Sequence, residues 1–304
     1  MARSAPAVAD RRRTLAVLAA SGCSLGLVGA GVLGLAVETG HERDAAMLHG
    51  FTGLYGARID PEIRVMARFA DPVPYAFLGL LCIAVALVRR RPWRALAAAI
   101  VLVGTGVTTQ ALKHLFAQPR YADWLLAGQI EGASWPSGHS TAAMTLALCA
   151  VVVAPPGWRA AIALLGGGCA LGLAYATLAL TWHYPSDVFG GFLVAGAWVF
   201  AALAVLTHVE VGDPAPARPP RFGWLVGLGA GGALVAAALV GVASERVPLD
   251  TGDRATVVIG ALALAALALA LVVVTVIAAS EPRPSEGSDA TPRSPEPSRA
   301  ALAR

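Results

Sequence analysis

Long apolar segments, each close to the length of a membrane-spanning helix, follow one another along most of this sequence. The hydrocarbon core of a bilayer is about 30 Å thick, and a helix crosses it in roughly 20 residues. The segments that fit are residues 14–37, 72–88, 95–115, 140–155, 159–181, 187–207, 223–243 and 255–279. We therefore expect an all-α fold, a polytopic transmembrane helical bundle.

The composition excludes the other broad classes of protein. Of the 304 residues, 57% are hydrophobic and only 14% are charged, whereas soluble domains carry about 25% charged residues. The net charge of +4 is spread over loops and tails, so it indicates membrane topology and no nucleic-acid partner. The four cysteines lie inside apolar segments without metal-ligand spacing, so we expect them to pack as small apolar residues.

The arginines predict which side of the membrane each loop faces, because cytoplasmic loops are enriched in Lys and Arg. If the spans alternate in direction, one side receives the arginines of segments 11–13, 89–94, 159, 218–221 and 283–304. We expect this side to be the cytoplasmic side of the cell membrane, with both termini on it. Loops 38–71, 116–139 and 244–254 then face outward. Because no A-x-A site follows the first span closely, we expect an anchor that is not cleaved.

The spans predict four parts of the chain. In order they are a cytoplasmic segment 1–13, a six-helix core 14–207, two further helices in 208–279 and a cytoplasmic tail 280–304. The tail is rich in Ser, Pro, Glu and Arg and has no apolar periodicity, so we expect it to be disordered.

The first outward loop breaks the charge pattern, since it contains Arg43, Arg58, Arg64 and Arg68. Apolar residues between 59 and 69 recur at the spacing of an amphipathic helix that lies on a membrane surface. Two interpretations are open: a surface brace, or a basic lid above an anionic headgroup.

The first cluster of unexpected polar residues lies where the third span ends. It contains Lys113, the only lysine of the chain, and Arg120, seven positions later. Pro119 is expected to end the helix and to turn Arg120 back toward the bundle. Two converging cations form a clamp for an anion. The alternative is a snorkelling pair that anchors the helix end.

The second cluster, W-P-S-G-H-S at 135–140, leads into the fourth span. Ser137 or Ser140 can cap this helix. The backbone N–H groups of Ser137, Gly138 and His139 are then expected to be unpaired and to face outward, as an anion site at the positive end of the helix dipole. His139 is placed to protonate a leaving group. The alternative is an ordinary helix start with an incidental histidine.

The third cluster, H-Y-P-S-D at 183–187, lies between the fifth and sixth spans. His183 and Asp187 have the i, i+4 spacing that brings two side chains together on a helical turn. The carboxylate is then expected to orient the imidazole for attack by its other nitrogen. Alternatively, Ser186 or Asp187 caps the sixth span.

Together the clusters indicate phosphoryl transfer, in which catalysis is mostly positioning and charge stabilisation. They contain two cations, exposed amides and two histidines, one of them backed by a carboxylate. We expect no metal and no other cofactor, because two cations and one carboxylate would repel a divalent ion.

The clusters resemble the signature of the type 2 phosphatidic acid phosphatase superfamily, which reads K-x6-R-P, then P-S-G-H, then S-R-x5-H-x3-D. The matching residues are Lys113 and Arg120, the P-S-G-H at 136–139, and His183 with Asp187. The resemblance covers roughly residues 40–207, and the last two spans are an addition at the C-terminal end.

The resemblance implies a role for each matching residue. His183 would attack phosphorus and become a phosphohistidine, and Asp187 would orient it. His139 would protonate the departing oxygen. The phosphate oxygens would be held by a set of cations and backbone amides: Lys113, Arg120, Ser137 and Gly138.

Two positions depart from the signature. Tyr121 stands where the family has proline after the first arginine, and the family's Ser-Arg pair falls on Ala176 and Thr177. The lost arginine normally joins the phosphate clamp, so either an arginine of the first outward loop replaces it or the clamp is weaker.

We therefore expect a membrane-embedded, metal-independent phosphatase that acts on a lipid phosphate or polyprenyl (di)phosphate at the extracytoplasmic face. Two alternatives are a phosphotransferase of the same fold and a non-catalytic protein that binds lipid phosphates or serves as a scaffold. The identity of the lipid and the oligomeric state are left open.

Overall fold

The computed structural model describes residues 5–55, 60–125, 129–210 and 222–280, and within them all regular structure is helical. The α-helices are α1 (Ala5–Gly31), α2 (Glu38–Thr52), α3 (Asp60–Arg68), α4 (Pro72–Val88), α5 (Pro92–Leu115), α6 (Gly138–Val153), α7 (Arg159–Ala179), α8 (Pro185–Val209), α9 (Phe222–Ser244) and α10 (Thr251–Ala279). The all-α polytopic bundle predicted from the sequence is confirmed.

Each predicted span corresponds to one helix, and most boundaries agree within a few residues. Among the described residues, seven helices are long and apolar enough to cross a membrane, and the count rises to eight if a bent pair forms one span. That pair is α3 with the short α4, bent by 52°. The chain is therefore a multi-pass membrane protein.

The loop between the first two spans contains two helices, α2 and α3. A π-helical turn, Val32–Ala36, ends the first span, and α2 follows it. The predicted surface helix is α3, in which Ala67 is fully buried whereas Val65 and Met66 are more than 40% exposed. It packs against α7, while Arg58 lies outside the described residues.

Helix α8 occupies the centre of the bundle, where α1, α5, α6 and α10 surround it. Phe192 and Phe200 on this helix are almost completely buried. Gly191 lets α8 approach the start of α6, because a Cβ at this position would lie 2.7 Å from the carbonyl oxygen of Ser137. This close approach brings the amino ends of α6 and α8 together.

At the opposite end of the bundle, arginines bind the carbonyl groups that end helices. Arg159 donates to the carbonyl oxygens of Ala154 (3.2 Å) and Ala279 (2.6 Å), where α6 and α10 end. Arg94 donates to the carbonyl oxygen of Val152 at 3.1 Å. The last carbonyls of a helix have no partner within it and form its negative end, so buried cations stabilise both helices.

Candidate active site

The three polar clusters meet at one end of the bundle, where α5 ends and α6 and α8 begin. The Arg120 Nη2 atom lies 2.5 Å from Oδ1 of Asp187, and the ring centroids of His139 and His183 are 6.2 Å apart. The motifs are thus neighbours in space, as the sequence predicted.

His183 lies in the turn between α7 and α8 and is only 6% exposed. Its Nδ1 atom is 3.4 Å from Oδ2 of Asp187, so the two side chains meet at the predicted i, i+4 spacing. This distance is longer than a good hydrogen bond but short enough for one to form with a small rotation. Nδ1 thus faces the carboxylate, which leaves Nε2 for a substrate.

Asp187 is fully buried and contacts both its own helix and the preceding loops. Oδ2 accepts a hydrogen bond from the backbone N–H of Tyr184 at 3.0 Å, and Oδ1 accepts from Arg120. The first contact caps α8, as one of the two interpretations of the sequence proposed. Because the same oxygen lies beside His183, capping the helix and facing the imidazole are compatible.

Arg120 is buried, and its guanidinium is surrounded by partners. Besides Asp187, it donates to Oγ of Ser186 at 3.1 Å and to Oγ of Ser134 at 2.6 Å. It also lies 4.2 Å above the ring of Tyr184. The side chain does turn back into the bundle after Pro119, and there it forms a buried ion-pair network.

At the start of α6, Ser137 caps the helix as expected, because its Oγ accepts from the backbone N–H of Ser140 at 3.3 Å. The expectation that its own N–H is unpaired is wrong: this group donates to the carbonyl oxygen of Asp187 at 2.8 Å. The amides of Gly138 and His139 are in the first turn, where helical N–H groups have no intrahelical acceptor. A Cβ on Gly138 would meet nothing within 4 Å, so the space beside this residue is open.

His139 faces His183 and has a carboxylate partner that the sequence did not indicate. Its Nε2 atom is 3.3 Å from Oδ1 of Asp71, the residue that precedes α4. The ring of Trp182 lies beside it at a centroid distance of 5.4 Å. The carboxylate can accept a hydrogen bond from this nitrogen and thereby orients the imidazole ring.

Lys113 lies half-buried in the last turn of α5. Its charge interacts with Asp187 and Glu131, which lie on the same end of the bundle. The lysine therefore adds positive potential to the space between the histidines and α5.

Thr177, which stands where the family signature has arginine, is fully buried and donates to the carbonyl oxygen of Ala174 at 2.8 Å. Among the candidate replacements, Arg64 contacts the hydroxyl of Tyr55 at 3.4 Å, and Arg43 and Arg68 are exposed.

The first outward loop instead brings carboxylates to the site. Asp44 of α2 accepts from the backbone N–H of Ser186 at 2.8 Å and from its Oγ at 2.5 Å, and Asp71 contacts His139. The expectation of a single carboxylate at the site is therefore wrong. A signal for Asp44 does exist: it shares the i, i+3, i+4, i+7 apolar face of α2 with Met47, Leu48 and Phe51, all of them buried.

Two titratable groups beside the buried ion-pair network have pKa values that differ from their ordinary ones. Burial raises the pKa of Asp44 to about 7, against the lowering effects of its hydrogen bonds from Ser186 and of Arg120. Burial likewise raises the pKa of Tyr184 to about 12. Within the described residues, no group of three or more His, Cys, Asp or Glu side chains is placed to hold a metal ion.

A bundle of membrane-spanning helices with two facing histidines, a buried Arg–Asp pair and an open helix start forms a class of site suited to phosphate esters. Residues 93–209 match the model of the PAP2 superfamily, which confirms the resemblance predicted from the motifs. This segment runs from α5 to the end of α8 and contains all three clusters, so it supports a phosphatase-type function. Comparisons with curated proteins and with solved structures give no match.

Proposed function

We propose that this protein is an integral-membrane phosphatase that hydrolyses a lipid phosphate or polyprenyl (di)phosphate through a phosphohistidine intermediate. The observation that carries the proposal is the pair of histidines, His183 backed by Asp187 and His139 backed by Asp71, with ring centroids 6.2 Å apart. A protein that only binds phosphate needs cations, but it needs neither a nucleophile nor a proton donor.

In the first step, Nε2 of His183 attacks phosphorus, and the bond from phosphorus to the lipid oxygen breaks. His139, protonated, gives its proton to that oxygen, so the lipid leaves as an alcohol or a monophosphate. In the second step, water attacks the phosphohistidine and gives one proton to His139. The N–P bond breaks, inorganic phosphate leaves, and both histidines return to their starting forms.

The charge on the transferred phosphoryl group is stabilised from three directions in this proposal. Lys113 supplies a cation, and the amides of Gly138 and His139 lie at the positive end of α6, where the space beside Gly138 is open. Arg120 contributes its potential from within the buried network, where it also fixes Asp187. Ser137 acts through its cap of α6, since its own amide is bonded to Asp187.

An apolar groove beside the site supports a lipid substrate. It has a volume of about 410 Å³, within the range of small-molecule sites. It lies between α1 and the end of α5, where Leu112 and Phe116 flank Lys113, and it reaches Trp135 just before the start of α6. A phosphate at the site would place the attached chain beside this groove.

The distribution of arginines supports a site on the extracytoplasmic face. The helix ends that bind Arg94 and Arg159 are opposite the site, and positively charged loops remain in the cytoplasm. We accordingly propose a cell-membrane protein with both termini cytoplasmic. Residues 14–207 form the six-helix phosphatase core, and the helices in 208–279 are an addition; segments 1–4 and 281–304 lie outside the described residues.

The test is phosphate release in detergent with excess chelator, with phosphatidic acid and a polyprenyl diphosphate offered in parallel. We expect release by the wild type and a loss of at least about 10³-fold in His183→Ala. The matched control is His208→Ala, which removes an exposed histidine at the other end of α8. Equal release by wild type and His183→Ala would contradict the proposal.

Thr177 favours one alternative, because a clamp without the family arginine suits a protein that binds lipid phosphates without hydrolysing them. A transferase is the other alternative, and it would pass the phosphoryl group to an acceptor alcohol in place of water. The same assay separates them: lipid binding without release indicates a binding protein, and release that requires an added alcohol indicates a transferase.

A further inference from the structure

Helix α2 brings a carboxylate to the buried side of the site, behind the residues that would face a substrate. Asp44 is 8% exposed. It accepts hydrogen bonds from the backbone N–H and the hydroxyl of Ser186, at 2.8 and 2.5 Å. Its Oδ2 atom also lies 3.5 Å from Nη1 of Arg120.

The contact with the backbone of Ser186 caps α8 from another helix. Pro185, the first residue of α8, has no N–H, so the amide of Ser186 is the first donor at this helix end. A carboxylate at the positive end of a helix stabilises it electrostatically. The next residue is Asp187, so the position of the Asp44 carboxylate bears directly on the residue that faces His183.

A second connection from Asp44 to Asp187 passes through Arg120. One guanidinium nitrogen donates to the Ser186 hydroxyl that Asp44 holds, and the other donates to Oδ1 of Asp187. Two carboxylates from different helices thus share one buried arginine. Such a network has few alternative arrangements, because any buried group that loses its partner is costly.

Close packing restricts the network from the side of α1. A Cβ on Gly34, in the π-helical turn before α2, would lie 2.4 Å from the Ser186 hydroxyl and 3.8 Å from Oδ2 of Asp44. The turn therefore presses against Ser186 with no room for a side chain.

We infer that Asp44 is a positioning residue for the proposed reaction: it acts through Ser186 and Arg120 to fix Asp187, and thereby the orientation of His183. The inference rests on the proposed function. It assigns a part in the chemistry to a helix outside the three motifs, and Asp44 itself need not touch the substrate.

The first test compares Asp44→Ala with Asp44→Asn in the phosphate-release assay. Alanine removes both hydrogen bonds, and we expect kcat to fall about 10- to 100-fold while KM changes less than about threefold. Asparagine keeps the shape and one acceptor for the Ser186 amide, so we expect it to restore most of kcat. The control is Glu42→Ala, an exposed acidic residue of the same helix.

The second test asks whether the effect passes through Asp187. In an Asp187→Asn background, Asp44→Ala should cost less than about twofold further, because the group it positions is already impaired. A full multiplicative loss in the double variant would overturn the inference, as would a loss confined to KM. If Asp44→Ala does not fold, Gly34→Ala displaces Ser186 without removing a charge and should give the same selective loss of kcat.

A separate measurement keeps failure of the inference distinct from failure of the proposed function. If the wild type releases no phosphate from either lipid, the proposed function is wrong. The contact between Asp44 and Ser186 is then tested by the melting temperatures of variants in detergent. Asp44→Ala and Ser186→Ala should lower the melting temperature non-additively, since they remove the two sides of one contact. Additive shifts would overturn the positioning contact whatever the protein's activity.

Discussion

The two site histidines differ in the carboxylate that each one faces. His183 lies beside Asp187, which is fully buried and shared with Arg120, whereas His139 lies beside the half-exposed Asp71. A buried carboxylate that accepts two hydrogen bonds holds the neighbouring imidazole ring in one orientation. A carboxylate at the edge of the site can accept a hydrogen bond from one ring nitrogen while the ring remains accessible. These surroundings fit a nucleophile and a proton donor, respectively.

This difference predicts that the leaving group decides how much His139 and Asp71 matter. For a lipid phosphate, whose alcohol is a poor leaving group, we expect His139→Ala to lower kcat/KM by about 10²- to 10⁴-fold and Asp71→Asn to lower it about 10-fold. For p-nitrophenyl phosphate, which leaves without a proton, both losses should shrink to a few-fold. His183→Ala should abolish both reactions, and equal losses for both substrates in His139→Ala would contradict its role as the acid.

Asp44 gives the stability of the protein a specific dependence on pH. Burial raises its pKa from 3.8 to about 7, with Arg120 opposing this effect and Asp187 adding to it. Between these values the folded protein holds a proton that the unfolded chain has lost, so the free energy of unfolding falls as the pH rises through this window. Above the pKa that Asp44 has in the folded protein, this contribution of Asp44 to the free energy of unfolding is fully lost.

We therefore expect the melting temperature of the wild type to fall from about pH 5 to about pH 8 more steeply than that of Asp44→Asn, which has no group to titrate at this position. The measurement is thermal unfolding in detergent over this range, with Glu42→Gln as the control that should follow the wild type. Parallel curves for the wild type and Asp44→Asn would contradict the prediction.

At the scale of single residues, the sequence predicted the site residues that belong to short motifs. It missed the residues that only the packing of distant helices brings to the site. The spacing of the motif residues places them at helix ends, and these helix ends meet in the structure. These residues are Lys113, Arg120, His139, His183 and Asp187. The Asp44–Ser186 contact joins residues that are 142 positions apart. Nothing in the local pattern around Asp44 says which helix its face will pack against.

At the scale of the helix, the site depends on how closely α8 approaches the start of α6. Gly191 permits that approach, since a Cβ there would lie 2.7 Å from the carbonyl oxygen of Ser137 and 2.9 Å from the backbone nitrogen of Thr141. Backbone atoms cannot rotate away as a flexible side chain can. A methyl group at this position must therefore push the two helices apart.

We expect Gly191→Ala to destabilise the protein by about 1–3 kcal/mol and to lower activity through the displaced helix ends. The matched control is Gly168→Ala on α7, where a Cβ would meet nothing within 4 Å; it should be neutral or stabilising by up to about 1 kcal/mol. Melting temperature and phosphate release measure the two effects. Similar behaviour of both variants would show that the approach of α8 to α6 tolerates a methyl group.

The spans were predicted accurately because apolar length is a local property that the bilayer thickness defines. The prediction missed α2 as a helix, because its sequence mixes Glu, His and Asp with apolar residues and has no span-like hydropathy. Its identity as a helix depends on the faces that it buries against α10, α9, α7 and α8. The spacing of Met47, Leu48 and Phe51 is a local sign of such a face, but the helices that it packs against are a property of the assembled bundle.

At the scale of the whole molecule, the C-terminal helices support the site from behind. Helix α10 packs against α2, where a Cβ on Gly50 would meet the side chain of Val257 at 2.2 Å and one on Gly260 would meet Met47 at 1.5 Å. The helix that carries Asp44 thus packs closely on α10, and it contacts α8 through Asp44 and Ser186. The resemblance predicted that α9 and α10 are an addition to the core, and both helices pack on α2, which carries Asp44.

The arrangement of charges over the whole bundle makes the orientation testable. The site loops and the α9–α10 loop lie at one end of the bundle, and the arginines that bind helix ends lie at the other. The side of the membrane that one end faces therefore determines the side that the other end faces. In a background with all four cysteines replaced by alanine, Glu245→Cys should react with a membrane-impermeant maleimide on intact cells. Gly157→Cys, in the α6–α7 loop, should react only after lysis; both positions are exposed. Labelling in the opposite pattern would place the site on the cytoplasmic face, where a phosphatase would meet lipids of the inner leaflet.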